Sequence, residues 1–173
     1  MNLKGLTRVV PFAVMSALAI TVAIASAQDT ERQPASATPT ASEPTIQGVW
    51  RTAVTPRNCQ TGAAILTLSG LFTFNQGGTM SEYGIGPGSS PALRSPGHGV
   101  WQREHGWQDY SFAFTFYRYD PSGVFLGSQK VRATLELGEG GDEFASRSAL
   151  ETLDVNGAVI ATGCATAVGT RFE

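Results

Sequence analysis

Cysteine, histidine and charge are all scarce in this chain. Its 173 residues hold two cysteines and two histidines, and Asp, Glu, Lys and Arg together make up 15%. Neither Cys59 nor Cys164 has a His, a second Cys or an acidic residue close by, which argues against a catalytic or metal-binding thiol. No cysteine follows the apolar amino-terminal run, which excludes a lipid anchor on a processed terminal cysteine. A basic excess is missing too, so the sequence gives no support for nucleic-acid binding. After the first 27 residues no apolar run is long enough to span a bilayer, and no stretch beyond residue 45 carries a helical period. A nucleophile motif, a phosphate-binding loop and a catalytic pair of carboxylates at recognisable spacing are likewise absent, so no catalytic residue and no cofactor can be named.

What is present begins with a leader. Lys4 and Arg8 form a positive start, Val9 to Ile24 is uncharged and mostly apolar, and Ala25-Ser26-Ala27 supplies the small-x-small pattern of a cleavage site. A membrane anchor is the alternative, but sixteen uncharged residues broken by Pro11 are short for a span of about 20. Residues 1–27 are therefore expected to be a signal peptide, with Gln28 as the mature terminus and a secreted or periplasmic protein as the product. Removing them leaves 10 Lys+Arg against 14 Asp+Glu, a net charge of −4. The segment 28–45, QDTERQPASATPTASEPT, has almost nothing to bury and reads as a disordered linker. A single domain, 46–173, remains, with no stable membrane insertion expected once the leader is cut. In an oxidising compartment its two cysteines default to a Cys59–Cys164 disulfide.

Through that domain, alternation of period two recurs between Gly, Asn and Pro breakers and predicts eight strands. They are Ile46–Val54, Leu71–Asn75, Thr79–Tyr83, His98–Arg103, Tyr110–Tyr119, Val124–Leu137, Glu143–Leu153 and Ala158–Arg171. Asn156-Gly157 is the clearest hairpin turn; Asp154 to Gly157 lacks the later acidic ligand of a calcium loop. Phe112, Phe114 and Phe116 share one face, as do Phe125, Val131, Ala133, Leu135 and Leu137 on the next strand. With one apolar face and no helix to cover it, the sheet is expected to close as an eight-stranded antiparallel up-and-down barrel, a β-sandwich being the alternative.

Gly48-Val49-Trp50 on the first strand resembles the G-x-W motif of lipocalins, and Arg171 on the last stands where their closing arginine stacks on that tryptophan. The resemblance to lipocalins and the wider calycin-like barrels covers only these two ends. Their Thr-Asp-Tyr block is missing, with Gln108-Asp109-Tyr110 a faint counterpart. The phrases TPRNCQTG, LFTFNQGGTMSE and RSPGHGVW also look like those of uncharacterised exported bacterial proteins, a likeness that implies no activity. Residue numbers paired across an antiparallel ladder have a constant sum, and Trp50–Arg171 (221) and Cys59–Cys164 (223) nearly share one. A single register of the first strand on the last therefore accommodates both, provided Pro56 lies at a bulge or beyond the ladder.

In such a barrel the long connections Thr55–Gly70 and Gly84–Gly97 emerge at one end, which is the expected mouth. Phe112, Phe114 and Phe116 would give a ligand its apolar wall, with Ser146 and Ser148 offering hydroxyls deeper in. The same small residues could instead relieve crowding in a filled core. His98, between Gly97 and Gly99, is a candidate polar group at the mouth or simply a hydrogen-bonding partner of its own loop. His98 and His105 lie seven apart, on opposite faces of a regular strand, so no metal site is expected. Tyr83, Trp101, Trp107, Tyr117 and Tyr119 could form an exposed binding patch, or barrel packing.

Three functions compete. The leading one is an exported barrel binding a small apolar or amphipathic molecule. The second is an isomerase or cyclase of the allene oxide cyclase kind on the same barrel, signalled by a titratable group of perturbed pKa in the cavity. The third is a structural or interaction domain with a filled core.

Overall fold

The computed structural model describes residues 43–172, so the expected leader and most of the expected linker lie outside the described residues. Eight antiparallel strands, each bonded to its sequence neighbours, form a closed up-and-down barrel compatible with a calycin-like fold. They are β1 (Gly48–Arg57), β2 (Leu68–Phe74), β3 (Thr79–Ile85), β4 (Gly97–Arg103), β5 (Asp109–Tyr119), β6 (Phe125–Leu137), β7 (Glu143–Leu153) and β8 (Val159–Arg171). Ring closure is the β1–β8 ladder, which runs from Trp50 opposite Arg171 to Arg57 opposite Cys164.

Three details differ from the expectation. First, β1 starts two residues later and ends three residues later, and β2 starts earlier, so the first connection shortens to residues 58–67. Its turn is built by Asn58, whose side-chain Oδ1 accepts from the amides of Gln60 and Thr61, and by an Arg57–Ala64 bridge. Second, Pro56 lies inside the β1–β8 ladder, opposite Ala165, and not at a bulge or beyond it. The β1–β2 ladder has already ended at Val54–Leu68. The Pro56 carbonyl points to that vacated side and accepts from Ile65 N at 2.9 Å. In an antiparallel strand a residue's N–H and C=O point the same way, so the donor that proline lacks is one β8 never required.

Third, Phe125 does not share the core face of β6. A register shift between Arg118 and Tyr119 places Phe125 opposite Tyr119. Its ring is partly exposed and packs outside the barrel against Tyr117 and Tyr119. The expected aromatic patch therefore divides. Tyr117 and Tyr119 join that outer cluster, whereas Trp101 and Trp107 pack against the core.

Alternation fills the interior as the sheet requires. Trp50, Phe72, Phe74, Met80, Tyr110, Phe112, Phe114, Val131, Leu135, Leu137 and Phe144 are all buried. The aromatic rings meet mostly edge to face, among them Trp50 on Phe144 at 5.0 Å and Phe74 on Phe112 at 5.8 Å. The heaviest packing lies where β1 begins and β8 ends. There the Arg171 guanidinium stands 4.3 Å from the Trp50 ring centroid. It donates to the carbonyls of Thr45, Gln47 and Gly141. Gly48 makes this approach possible. Its φ is +127°, and a Cβ there would stand 3.0 Å from the guanidinium. The residues flanking the barrel at 43–47 are thus tied to its closed end, and Trp50 Nε1 donates to Ile46 O at 2.8 Å.

Candidate functional site

The opposite half of the barrel is less full. Between the aromatic floor and the connections at residues 58–67 and 86–96 lies an interior cavity of about 120 Å³. Phe112, Phe114 and Phe116 of β5 form one wall, together with Phe72 and Val131. Ser146 and Ser148 of β7 face it from across the barrel, beside Ala165 and Ala167 of β8. Five of the residues singled out from the sequence thus line one space. His98 does not. It is exposed on the outer face of β4, between Ser81 and Thr115 of the adjacent strands. Alternation explains this, because Gly97, Gly99 and Trp101 take the inward positions of β4 and leave His98 outward.

The cavity is mixed in character. Ser146 is 4% exposed, and its hydroxyl has no hydrogen-bond partner among the described residues. Leaving such a group unpaired costs on the order of 1–3 kcal/mol. Thr52 Oγ1, also inside the barrel, is in the same condition. At the mouth stands a pair that the sequence reading passed over. Glu82 of β3 is 4% exposed and meets Arg94, which descends from the 86–96 connection just after a 3-10 turn, Pro91–Leu93. Arg94 also donates to Gly84 O at 3.1 Å and lies 3.5 Å from the Phe116 ring centroid. Gly97 supplies the room, since a side chain there would collide with the Glu82 carboxylate. Burial pushes the Glu82 carboxyl above its ordinary value, and the Arg94 guanidinium opposes this without cancelling it.

Both residues left a trace in the sequence. Met80-Ser81-Glu82 puts a carboxylate on the core face of β3 by simple alternation. Arg94 is the one charged residue in GIGPGSSPALRSPG. What could not be read is that the loop folds inward far enough for them to meet.

A wider concavity of about 710 Å³ lies mainly on the outer surface over β5 to β8, with Arg57, Glu104, Glu136 and Arg147 on its walls. It is the saddle expected of a twisted sheet and is open to solvent; Tyr110 and Ser146, whose hydroxyls are unpartnered, belong to its lining, but both side chains are buried and Ser146 also lines the interior cavity. The interior cavity is the better site, being apolar with a few directed polar groups. Among the described residues no cluster of His, Cys, Asp and Glu could hold a metal ion.

No protein-family model matches the sequence, and no curated protein matches it either.

Proposed function

We propose that the protein is exported and binds a small amphipathic molecule inside the barrel, near the mouth. The unpartnered Ser146 hydroxyl carries this reading. A filled core would be expected to satisfy or replace it, whereas a guest bearing one hydrogen-bonding group would complete it. Space limits the guest, for apolar cavities of roughly 150 Å³ accommodate a benzene-sized molecule. This cavity, about 120 Å³, is smaller, so a single ring with one polar atom is the upper limit of what the phenylalanine wall and the serine opposite can take. Burying about 200 Å² of apolar ligand surface contributes roughly 5 kcal/mol gross. Association costs reduce this to micromolar affinity or weaker. The leader-like amino terminus and the Cys59–Cys164 disulfide support export.

The test is a panel of apolar dyes, phenols and small aromatic acids, with native mass spectrometry of protein from its own export compartment. Phe114→Trp, which fills the cavity, should abolish binding. Ser146→Ala should weaken guests that carry a hydroxyl by about tenfold, the value of one hydrogen bond, and spare purely apolar ones. Binding that survives Phe114→Trp, or none by any probe, would favour an interaction domain acting through its loops.

A barrel enzyme of isomerase or cyclase type has one observation in its favour, the buried Glu82 carboxyl with its raised pKa beside the cavity. Turnover of a bound ligand by the wild type, lost in Glu82→Gln with binding retained, would establish it.

A further inference from the structure

The exposed apolar side chains are not scattered evenly. Ile65 and Leu66 stand on the β1–β2 connection, Phe125 and Leu126 at the start of β6, and Val159 and Ile160 at the start of β8. In an up-and-down barrel these three places share one end, and it is the end that opens toward the cavity. Each place presents two consecutive apolar residues, both exposed. On a strand that covers the interior, consecutive residues alternate between core and solvent. Here the first two residues of β6 and the first four of β8 are exposed on both faces, so those hairpins stand clear of the barrel wall. The cost of exposing such pairs in water is paid at three separate tips around one opening, which random surface placement does not explain.

Charge is divided in the complementary way. Glu104, Glu136, Glu139, Asp142 and Glu143 gather at the closed end. At the mouth the tips carry two carboxylates, whose turn hydrogen bonds leave them charged, and Arg57, Arg94 and Arg118 stand behind them at the same end. Asp120 accepts from the amides of Ser122 and Val124, and Asp154 from those of Asn156 and Ala158. Arg118, the next inward position after Phe116 on β5, has no carboxylate partner among the described residues. Tyr117 and Tyr119 flank it, the residue types that settle at a membrane–water boundary.

We infer that the mouth of the barrel docks reversibly onto a lipid bilayer, its three hairpin tips entering the interface and the acidic closed end facing away. Separate apolar tips suit a fluid surface, which needs no matching contour, better than they suit a rigid protein partner. Anionic headgroups meet Arg118 at the rim and repel the far end, fixing the orientation. The inference goes beyond ligand binding but rests on it in one respect: an apolar guest dissolved in the bilayer would reach the cavity without crossing water.

The test is co-sedimentation of the mature protein with phosphatidylcholine vesicles, with and without phosphatidylglycerol. Wild type should pellet with vesicles, more so when they are anionic. Phe125→Ser combined with Ile160→Ser should lower partitioning by about tenfold or more, because two apolar contacts are lost. Val168→Ser removes an equally exposed apolar side chain on the outer wall of β8, away from the mouth, and should change nothing. Near-ultraviolet circular dichroism of the buried tryptophan verifies folding. Wild type that stays in the supernatant with both vesicle types overturns the inference, as does equal loss in Val168→Ser. So does a concentration-dependent dimer that the tip substitutions abolish, since the tips would then serve a second copy. Dye binding is measured on the same proteins in vesicle-free buffer. If dye binds and vesicles do not, docking fails and the cavity reading stands; if vesicles bind and no dye does, docking stands and the cavity reading fails.

Discussion

The two halves of this barrel are held together by different means. At the closed end, Trp50, Phe74, Phe144 and Leu137 are buried against one another, and Arg171 ties three separated carbonyls beneath them. At the mouth the interior is thinner, lined by serine and alanine on β7 and β8, and strength comes from a covalent bridge and an ion pair. Cys59 lies two residues past the end of the β1–β8 ladder, with its Cα 5.4 Å from that of Cys164. The contrast has a physical logic. Close packing stabilises only where nothing must enter, whereas a staple at the rim fixes the frame and leaves space inside. Breaking the two kinds of fastening separately should therefore give different failures.

The largest effect is expected from the staple. The bridge closes a separation of 105 residues, for which the chain-entropy model gives about 4–5 kcal/mol as an upper figure. Replacing both cysteines by serine should lower the denaturation midpoint steeply. Hydrogen exchange should accelerate first in residues 54–67 and 159–167, leaving the closed end protected; uniform acceleration would mean that the halves are not separable. Arg171→Lys should act at the other end and more weakly. Lysine keeps the charge but cannot stack a planar guanidinium on indole or span three carbonyls. Loss of the stacking is worth roughly 0.5–2 kcal/mol, read as a shift in the urea midpoint with ligand binding unaltered. An unmoved midpoint would mean that the Trp50–Arg171 contact contributes nothing to closure.

Most of the frame was legible because its signals are local. Period-two alternation located all eight strands to within a few residues, and the likeness of the two ends to lipocalins set Trp50 against Arg171, the pair that the β1–β8 ladder joins. Phe125 was misassigned to the core because one extra residue at the Arg118/Tyr119 bulge inverts every side chain beyond it. Nothing in the spacing of β6 reveals that event. The site was legible where it is made of strands. Phe112, Phe114, Phe116, Ser146 and Ser148 follow from alternation alone, and so, in retrospect, does Glu82. Arg94 does not. Its position depends on how an eleven-residue connection rich in Gly, Pro and Ser folds back over the mouth, and that path is set by the tertiary contacts of Glu82, Gly84 and Phe116.

The smallest expected effect concerns that same pair and is a matter of pH. Because burial raises the Glu82 carboxyl above its ordinary 4.5, there is a pH window, between the ordinary and the raised value, in which the folded protein binds a proton there that the unfolded chain has released. Where the folded state binds more protons, stability falls as pH rises. The contribution of this group is therefore complete below about the ordinary carboxylate value. It is lost as pH climbs through the raised one. Glu82→Gln, which carries no charge at any pH, should remove that slope, so wild type should gain stability relative to the variant as the solution is acidified. The mouth itself should respond in the opposite sense. A protonated Glu82 no longer holds the Arg94 guanidinium by charge, so the protection of residues 86–96, relative to the intrinsic exchange rate at each pH, should fall in acid for wild type and be low at every pH for Glu82→Gln. Unfolding titrations and hydrogen exchange on both proteins at several pH values separate the two effects. A wild-type-to-variant difference that stays flat with pH would mean that Arg94 offsets burial completely, and that the mouth is locked as firmly as the closed end.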